Sequence, residues 1–190
     1  MFRQLVQYKL NCLVSSLPLE KKHQDTLKFF KTYTEEALIQ NPYEDILPTL
    51  VAKYPDRIEI TTTKFESMDA TINFQNLIES KAKIGAVEIG HLVTSYTLQA
   101  KKDSPEDFER VQREYSMYKR VFGSIRYHPL AREMMSICLY DSERSIGSFA
   151  YLGHFLGPNG EKGKRLDSSW EDGILETTSV ETVLRNPFKV

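Results

Sequence analysis

The sequence predicts an α+β domain: an antiparallel β-meander of at least three strands, helices packed mainly on one face, and a glycine-rich C-terminal segment. Three observations carry that prediction. Residues 57–65, 70–78 and 84–99 are rich in β-branched residues and alternate in polarity, the period of half-buried strands. Residues 104–123 hold a full set of start, face and stop signals for a helix. Six of the nine glycines lie between Gly147 and Gly173, which marks that region as rich in turns.

Length and composition set the frame. At 190 residues, 41% of them hydrophobic, the chain suits one domain around one core. The expected division is a globular unit over 1–146, followed by a glycine-rich loop and acidic segment over 147–190 that packs on it or extends from it. A formal net charge of -1 means that any attraction to nucleic acid or anionic lipid must come from a local patch. No apolar run is long enough to span a bilayer. Residues 1–16 interleave apolar side chains with Gln, Lys and Asn and so lack the continuous apolar core of a secretion signal. The two cysteines, Cys12 and Cys138, read as buried reduced thiols. Together these features predict an intracellular protein of a reducing compartment, cytoplasm or nucleus.

In chain order, Val6, Tyr8, Leu10 and Cys12 alternate with polar residues as a strand does. Leu27, Phe30, Tyr33 and Ala37 recur at helical spacing until Asn41-Pro42 stops the run. A second helix is predicted over about 44–54 from Ile46, Leu47, Leu50 and Val51, with Pro48 arguing against it. The meander follows. Its third strand shifts phase near Gly90, so that Val87, Ile89, Leu92, Tyr96 and Leu98 share a face only through a bulge. Then Ser104 is an N-cap, Pro105 takes the first helical position and Asp107 closes a capping box. Phe108, Val111, Tyr115, Tyr118 and Phe122 form the inner face, and Gly123 supplies a left-handed stop. Residues 132–140 and 145–156 fit a strand by alternation and a helix by their Met and Leu content.

Catalytic and cofactor motifs are wanting. The run GPNGEKGK (157–164) looks like a phosphate-binding loop, but its spacing is one residue too long and Arg165 stands where a magnesium-binding hydroxyl is needed. It reads as a glycine-rich basic turn. His23, His91, His128 and His154 have no metal-ligand spacing. The alternative of a small enzyme rests on a pocket that would join Cys138 to a histidine. No cofactor and no metal is expected.

Three stretches could carry binding. In residues 118–132, Lys119, Arg120, Arg126 and Arg132 interleave with Tyr118, Phe122 and Tyr127 with no acid between them. Cations beside planar aromatics suit RNA or an anionic membrane, and Lys162, Lys164 and Arg165 extend the patch if the chain folds back. The bland reading is a helix end with core aromatics. Residues 167–181 set Trp170, Ile174 and Leu175 among five carboxylates, the texture of a segment that orders on a protein partner or of a last strand in the sheet. Phe188 and Val190 give the C-terminus the form of a carboxylate-captured β-addition ligand, which would make the chain an adaptor.

The order strand, helix, meander, helix over about residues 4–125 resembles the globular domain of rhabdovirus matrix proteins, which join membrane and nucleocapsid through basic surfaces. This sequence lacks their basic N-terminal arm and their PPxY and PTAP motifs, and no residue-level motif carries over. The resemblance implies a viral matrix-like or accessory protein. The expected function is a non-catalytic interaction or assembly protein that touches an anionic polymer or membrane through the basic-aromatic patch, with self-association open to it.

Overall fold

Residues 12–15, 21–63, 70–98, 104–177 and 186–189 are described by the structure, a computed structural model. In chain order they form β1 (Cys12–Ser15), α1 (Lys21–Gln40), β2 (Thr49–Lys53), β3 (Ile58–Thr62), α2 (Ala70–Lys83), β4 (Glu88–Thr97) and α3 (Pro105–Phe122). A 3-10 turn (Ile125–Tyr127) then leads to β5 (Arg132–Tyr140), β6 (Ser145–Leu156), β7 (Lys162–Leu166) and β8 (Glu171–Thr177). The class is α+β, as the sequence predicts. The strands make one eight-stranded sheet in the order β1-β8-β6-β5-β4-β2-β3. Every pairing is antiparallel, and β6 is long enough to pair with β8 through its first half and with β7 through its second.

The sheet is covered on both sides. From α1, Leu27, Phe30 and Leu38 pack with Val51, Leu92, Ile137 and Ile146. From α2, Phe74 and Ile78 pack with Leu50, Ala52 and Ile89. Successive strand residues point to opposite faces, so Val51 on one side and Leu50 and Ala52 on the other place α1 and α2 across the sheet from each other. The helices are therefore divided between the faces. Helix α3 sits at one end, where Val111 joins Leu98 and Ile125.

Several elements differ from expectation. The middle strand of the predicted meander, residues 70–78, lies within α2. Phe74, Leu77, Ile78 and Ala82 all pack against one cluster, a helical period that the β-branched residues ahead of it obscure. The predicted helix at 44–54 is an irregular segment followed by β2, whose residues 49–52 are buried on both faces. A strand of that kind shows no alternation. No bulge is needed at Gly90, because β4 pairs in unbroken register with β2 and β5. Ile89 and Leu92 are each fully buried, on opposite faces. The ambiguous runs 132–140 and 145–156 are central strands.

The observed order, with α2 where a strand is predicted, also departs from the order behind the matrix-protein resemblance. The strand predicted at residues 6–12 lies outside the described residues except for Cys12. The acidic stretch supplies β8, hydrogen-bonded between β6 and β1, so the expected division at 146/147 falls inside β6. No described helix is long and apolar enough to cross a membrane.

Candidate functional site

Helix α3 forms as its local sequence dictates. The Ser104 hydroxyl accepts from the Asp107 amide at 3.3 Å, Pro105 opens the first turn, and Gly123 closes the last in the left-handed region with its N–H on the Lys119 carbonyl. Arg110 bridges Asp107 and Glu114 at 2.7 and 2.8 Å. Its inner face packs through Val111, Tyr115 and Tyr118.

The chain then folds back on that helix. Tyr118 contacts the rings of Phe122 and His128 at 5.1 and 4.5 Å, while the His128 Nε2 lies 3.4 Å from Glu114. The His128 Nδ1 accepts the Leu130 N–H. Met117, Val121 and Phe122 of α3 and Tyr127 and Leu130 of this return stand 48–68% exposed. Lys119, Arg120 and Arg126 are exposed on the same stretch, and residues 115–132 contain no carboxylate.

The predicted basic patch is only partly assembled here. Arg132 lies elsewhere, its guanidinium 4.2 Å from the centre of the Tyr151 ring and 3.4 Å from Asp167. Lys162 and Arg165 are exposed on β7, where alternation points Arg165 away from Lys164's side. The stretch 157–161 is the β6–β7 hairpin. Gly157 N–H donates to the Glu161 carbonyl, Gly160 takes φ +84, and the Asn159 side chain bonds Glu161. It is the glycine-rich turn that the sequence predicts.

Lys164 instead enters a groove of about 660 Å³ between the segment before β2 and the end of β4. Its ammonium binds Glu133 Oε1 at 3.0 Å and also Asp45. Burial alone would lower its pKa, but the bonds to Asp45 and Glu133 outweigh that and hold it above the ordinary value. The same hydrogen bond, helped by the charge of Lys164, lowers that of Asp45. Glu133, its side chain 5% exposed, also accepts from Tyr96 OH at 3.4 Å and meets His154 Nε2 at 2.9 Å. Arg126 rests 5.8 Å from the centre of the Tyr96 ring.

Two buried polar clusters were not visible in the sequence. His23 sets Nδ1 at 2.7 Å from Glu88, which also takes Lys53 at 3.0 Å and the Thr26 hydroxyl. Its Nε2 is 3.2 Å from Asp141 Oδ2, near enough for an ion pair but misaligned for a hydrogen bond. This cluster pins α1 to the sheet. Across the sheet, His91 meets Tyr140 OH at 3.1 Å and stands opposite Cys138 in the β4–β5 register. Both are nearly fully buried, and burial pushes the His91 pKa down to about 3. His128 and His154 lie on other elements, with Glu114 and Glu133 as partners. Among the described residues no group of His, Cys, Asp or Glu is arranged to hold a metal ion.

At the C-terminal end, Trp170 packs against the α1-side core and donates Nε1–H to Glu35 at 3.0 Å. The backbones of Ile174 and Leu175 pair with β6 and β1. Phe188 packs against the α2-side core, and Val190 lies outside the described residues. The chain matches no family model, no curated protein and no solved structure.

Proposed function

We propose that this protein is a non-catalytic module that rests on an anionic phospholipid surface through the last two turns of α3 and residues 123–130. One observation carries the reading: exposed Met117, Val121, Phe122, Tyr127 and Leu130 are interspersed with exposed Lys119, Arg120 and Arg126. Apolar side chains enter the boundary between headgroups and acyl chains while cations meet the phosphates. Each Lys or Arg near such a surface contributes about 1 kcal/mol, so three supply about 3 kcal/mol by the same measure. Single-stranded RNA would use the cations and the aromatic rings but has no partner for Val121, Met117 or Leu130. That asymmetry favours the bilayer.

Vesicle sedimentation tests it. The protein should bind vesicles containing a third anionic lipid and not neutral ones, with affinity falling as salt rises. Replacing Lys119, Arg120 and Arg126 together by Gln should weaken binding by up to about 100-fold. Val121→Ser with Phe122→Ser should weaken it in a way that salt does not reproduce. Equal binding to neutral and anionic vesicles, or binding to neither, overturns the proposal, as does tight RNA binding that survives the serine changes.

A further inference from the structure

Strand β3 ends the sheet, and among the described residues it pairs with β2 alone. The bonds at its two ends fix which way its backbone groups point. Tyr54 N–H donates to the Arg57 carbonyl, and Thr63 N–H donates to the Pro48 carbonyl. Hydrogen-bonded and non-bonded pairs alternate along an antiparallel ladder. With Ala52 opposite Glu59 and Leu50 opposite Thr61, residues 57, 59, 61 and 63 therefore turn their backbone groups to β2. Ile58, Ile60 and Thr62 turn theirs outward, away from the sheet.

The side chains agree with an open edge. Ile58 and Ile60 are 62% and 55% exposed, and Thr62 is exposed beside them. They stand opposite Lys53 and Val51, on the side where α1 packs on Val51 but leaves β3 uncovered. Edge strands are commonly blunted by Pro, by Lys or by a bulge. The strand IEITT contains neither Pro nor Lys, and its five pairs with β2 run in unbroken register. Its one charge, Glu59, points to the α2 side, where Arg57 and Lys81 hold it at 3.0 and 2.7 Å.

Register and charge select what can lie along this edge. We propose that β3 pairs antiparallel with β3 of a second copy of this chain, about a two-fold axis at Ile60. In that register Ile60 faces Ile60 of the second copy, and Ile58 faces Thr62. Three facing pairs with two bonds each satisfy all the outward groups of Ile58, Ile60 and Thr62 on both strands. Glu59 faces Thr61, and the β-branched side chains form cross-strand pairs on the α1 side. An axis at Glu59 instead sets two carboxylates opposite each other and leaves Thr62 without a partner. An axis at Thr61 carries Ile58 past the end of the facing strand. The contact joins one surface to itself and closes at two copies. It does not rest on the bilayer reading, and its test uses no lipid.

Sedimentation equilibrium of the full chain over a range of micromolar concentrations should show a reversible rise from 22.0 kDa toward twice that mass. Ile60→Pro removes the outward N–H at the axis and leaves the ladder to β2 intact. It should weaken the dimer at least about tenfold, because two of its bonds are lost. Ile58→Lys with Ile60→Lys, both at exposed positions, should abolish the dimer by setting like charges across the seam. An unchanged circular dichroism spectrum separates that loss from unfolding. Cysteine cross-linking reads the register without disturbing the charge. Ile60→Cys should link to itself, whereas Ile58→Cys should link only when mixed with Thr62→Cys, with the parent chain as the control for Cys12 and Cys138. A monomer at every concentration overturns the proposal. So does a dimer that the lysine changes leave intact, or one in which Ile58→Cys links to itself as readily as Ile60→Cys. Growth beyond two copies means that β3 meets a different edge, and it overturns the two-fold axis.

Discussion

Gly90 offers a test of how α1 is seated on the sheet. Strand β4 runs between β2 and β5 with Gly90 opposite Val51 and Leu139. A methyl group there would lie 2.5 Å from Leu139 Cδ2, 2.7 Å from Phe30 Cε2 and 3.3 Å from Thr26 Cγ2. Carbon atoms prefer about 3.5–4.0 Å. Leu139 and Phe30 are 1% and 0% exposed, so neither can swing into solvent to make room. Overpacking of this kind costs about 1–3 kcal/mol. Replacing a strand glycine recovers about 0.5–1 kcal/mol of chain entropy. Gly90→Ala should therefore destabilise by about 0.5–2 kcal/mol net, lowering the melting temperature by roughly 1–8 °C for a chain of this size. Urea unfolding followed by far-ultraviolet circular dichroism measures it, with the m-value unchanged. Phe30→Leu removes the ring edge nearest the new methyl, so the double variant should be more stable than the sum of the two singles by at least about 0.5 kcal/mol. A Gly90→Ala protein as stable as the parent, or strictly additive effects in the pair, would refute the close contact between α1 and β4.

Two further outcomes follow from the buried polar groups. His91 has an ordinary pKa of 6.5 that burial lowers to about 3. Between those values the unfolded chain binds the extra proton and the folded protein does not, so the stability His91 contributes is complete above 6.5 and lost as pH falls toward 3. The slope is about 1.4 kcal/mol per pH unit. His91→Gln should flatten the pH dependence by that amount between pH 6 and 4, and an unchanged profile would mean that His91 is not sealed from water. On the other face, Glu88→Ala leaves buried His23 and half-buried Lys53 without their shared carboxylate, at a cost of about 3–5 kcal/mol in urea unfolding. Glu88→Gln, which keeps an acceptor for Thr26, should cost less. A loss below about 1 kcal/mol for the alanine variant would show that α1 is held by apolar packing alone.

The caps of helix α3 could be read from the sequence because every signal that makes them acts within one turn, whereas Phe122, read as inner-facing, is 55% exposed. The hairpin at 157–161 could be recognised as a turn for the same reason: its glycines and its wrong spacing are local facts. The α+β class also followed, since strand and helix periods both occur along the chain. The failures share a cause as well. β2 and the first half of β4 are buried on both faces, and a stretch covered on both sides has no alternation to read, so β2 reads as a helix and β4 as out of phase. At residues 70–78, β-branched residues suited to a strand lie on a helix because the two-sided core rewards Phe74, Ile78 and Ala82 on one face.

The candidate site divides in the same way. Lys119, Arg120 and Arg126 were visible in the sequence as a basic-aromatic run, because solvated charges and a helix end are local features. That Arg132 turns to Tyr151, that Lys164 is bound by Glu133 and Asp45, and that Glu44 shares a groove with Arg126 depend on contacts between residues 19 to 119 positions apart. Composition and spacing carry no record of such pairings. The sequence by itself determined the class, the ends of α3, the turn at 157–161 and the places where charge and aromatic rings accumulate. Only the tertiary structure decided which of those charges are paired within the fold and which stand exposed, because partners in an antiparallel sheet are chosen by register across the whole chain.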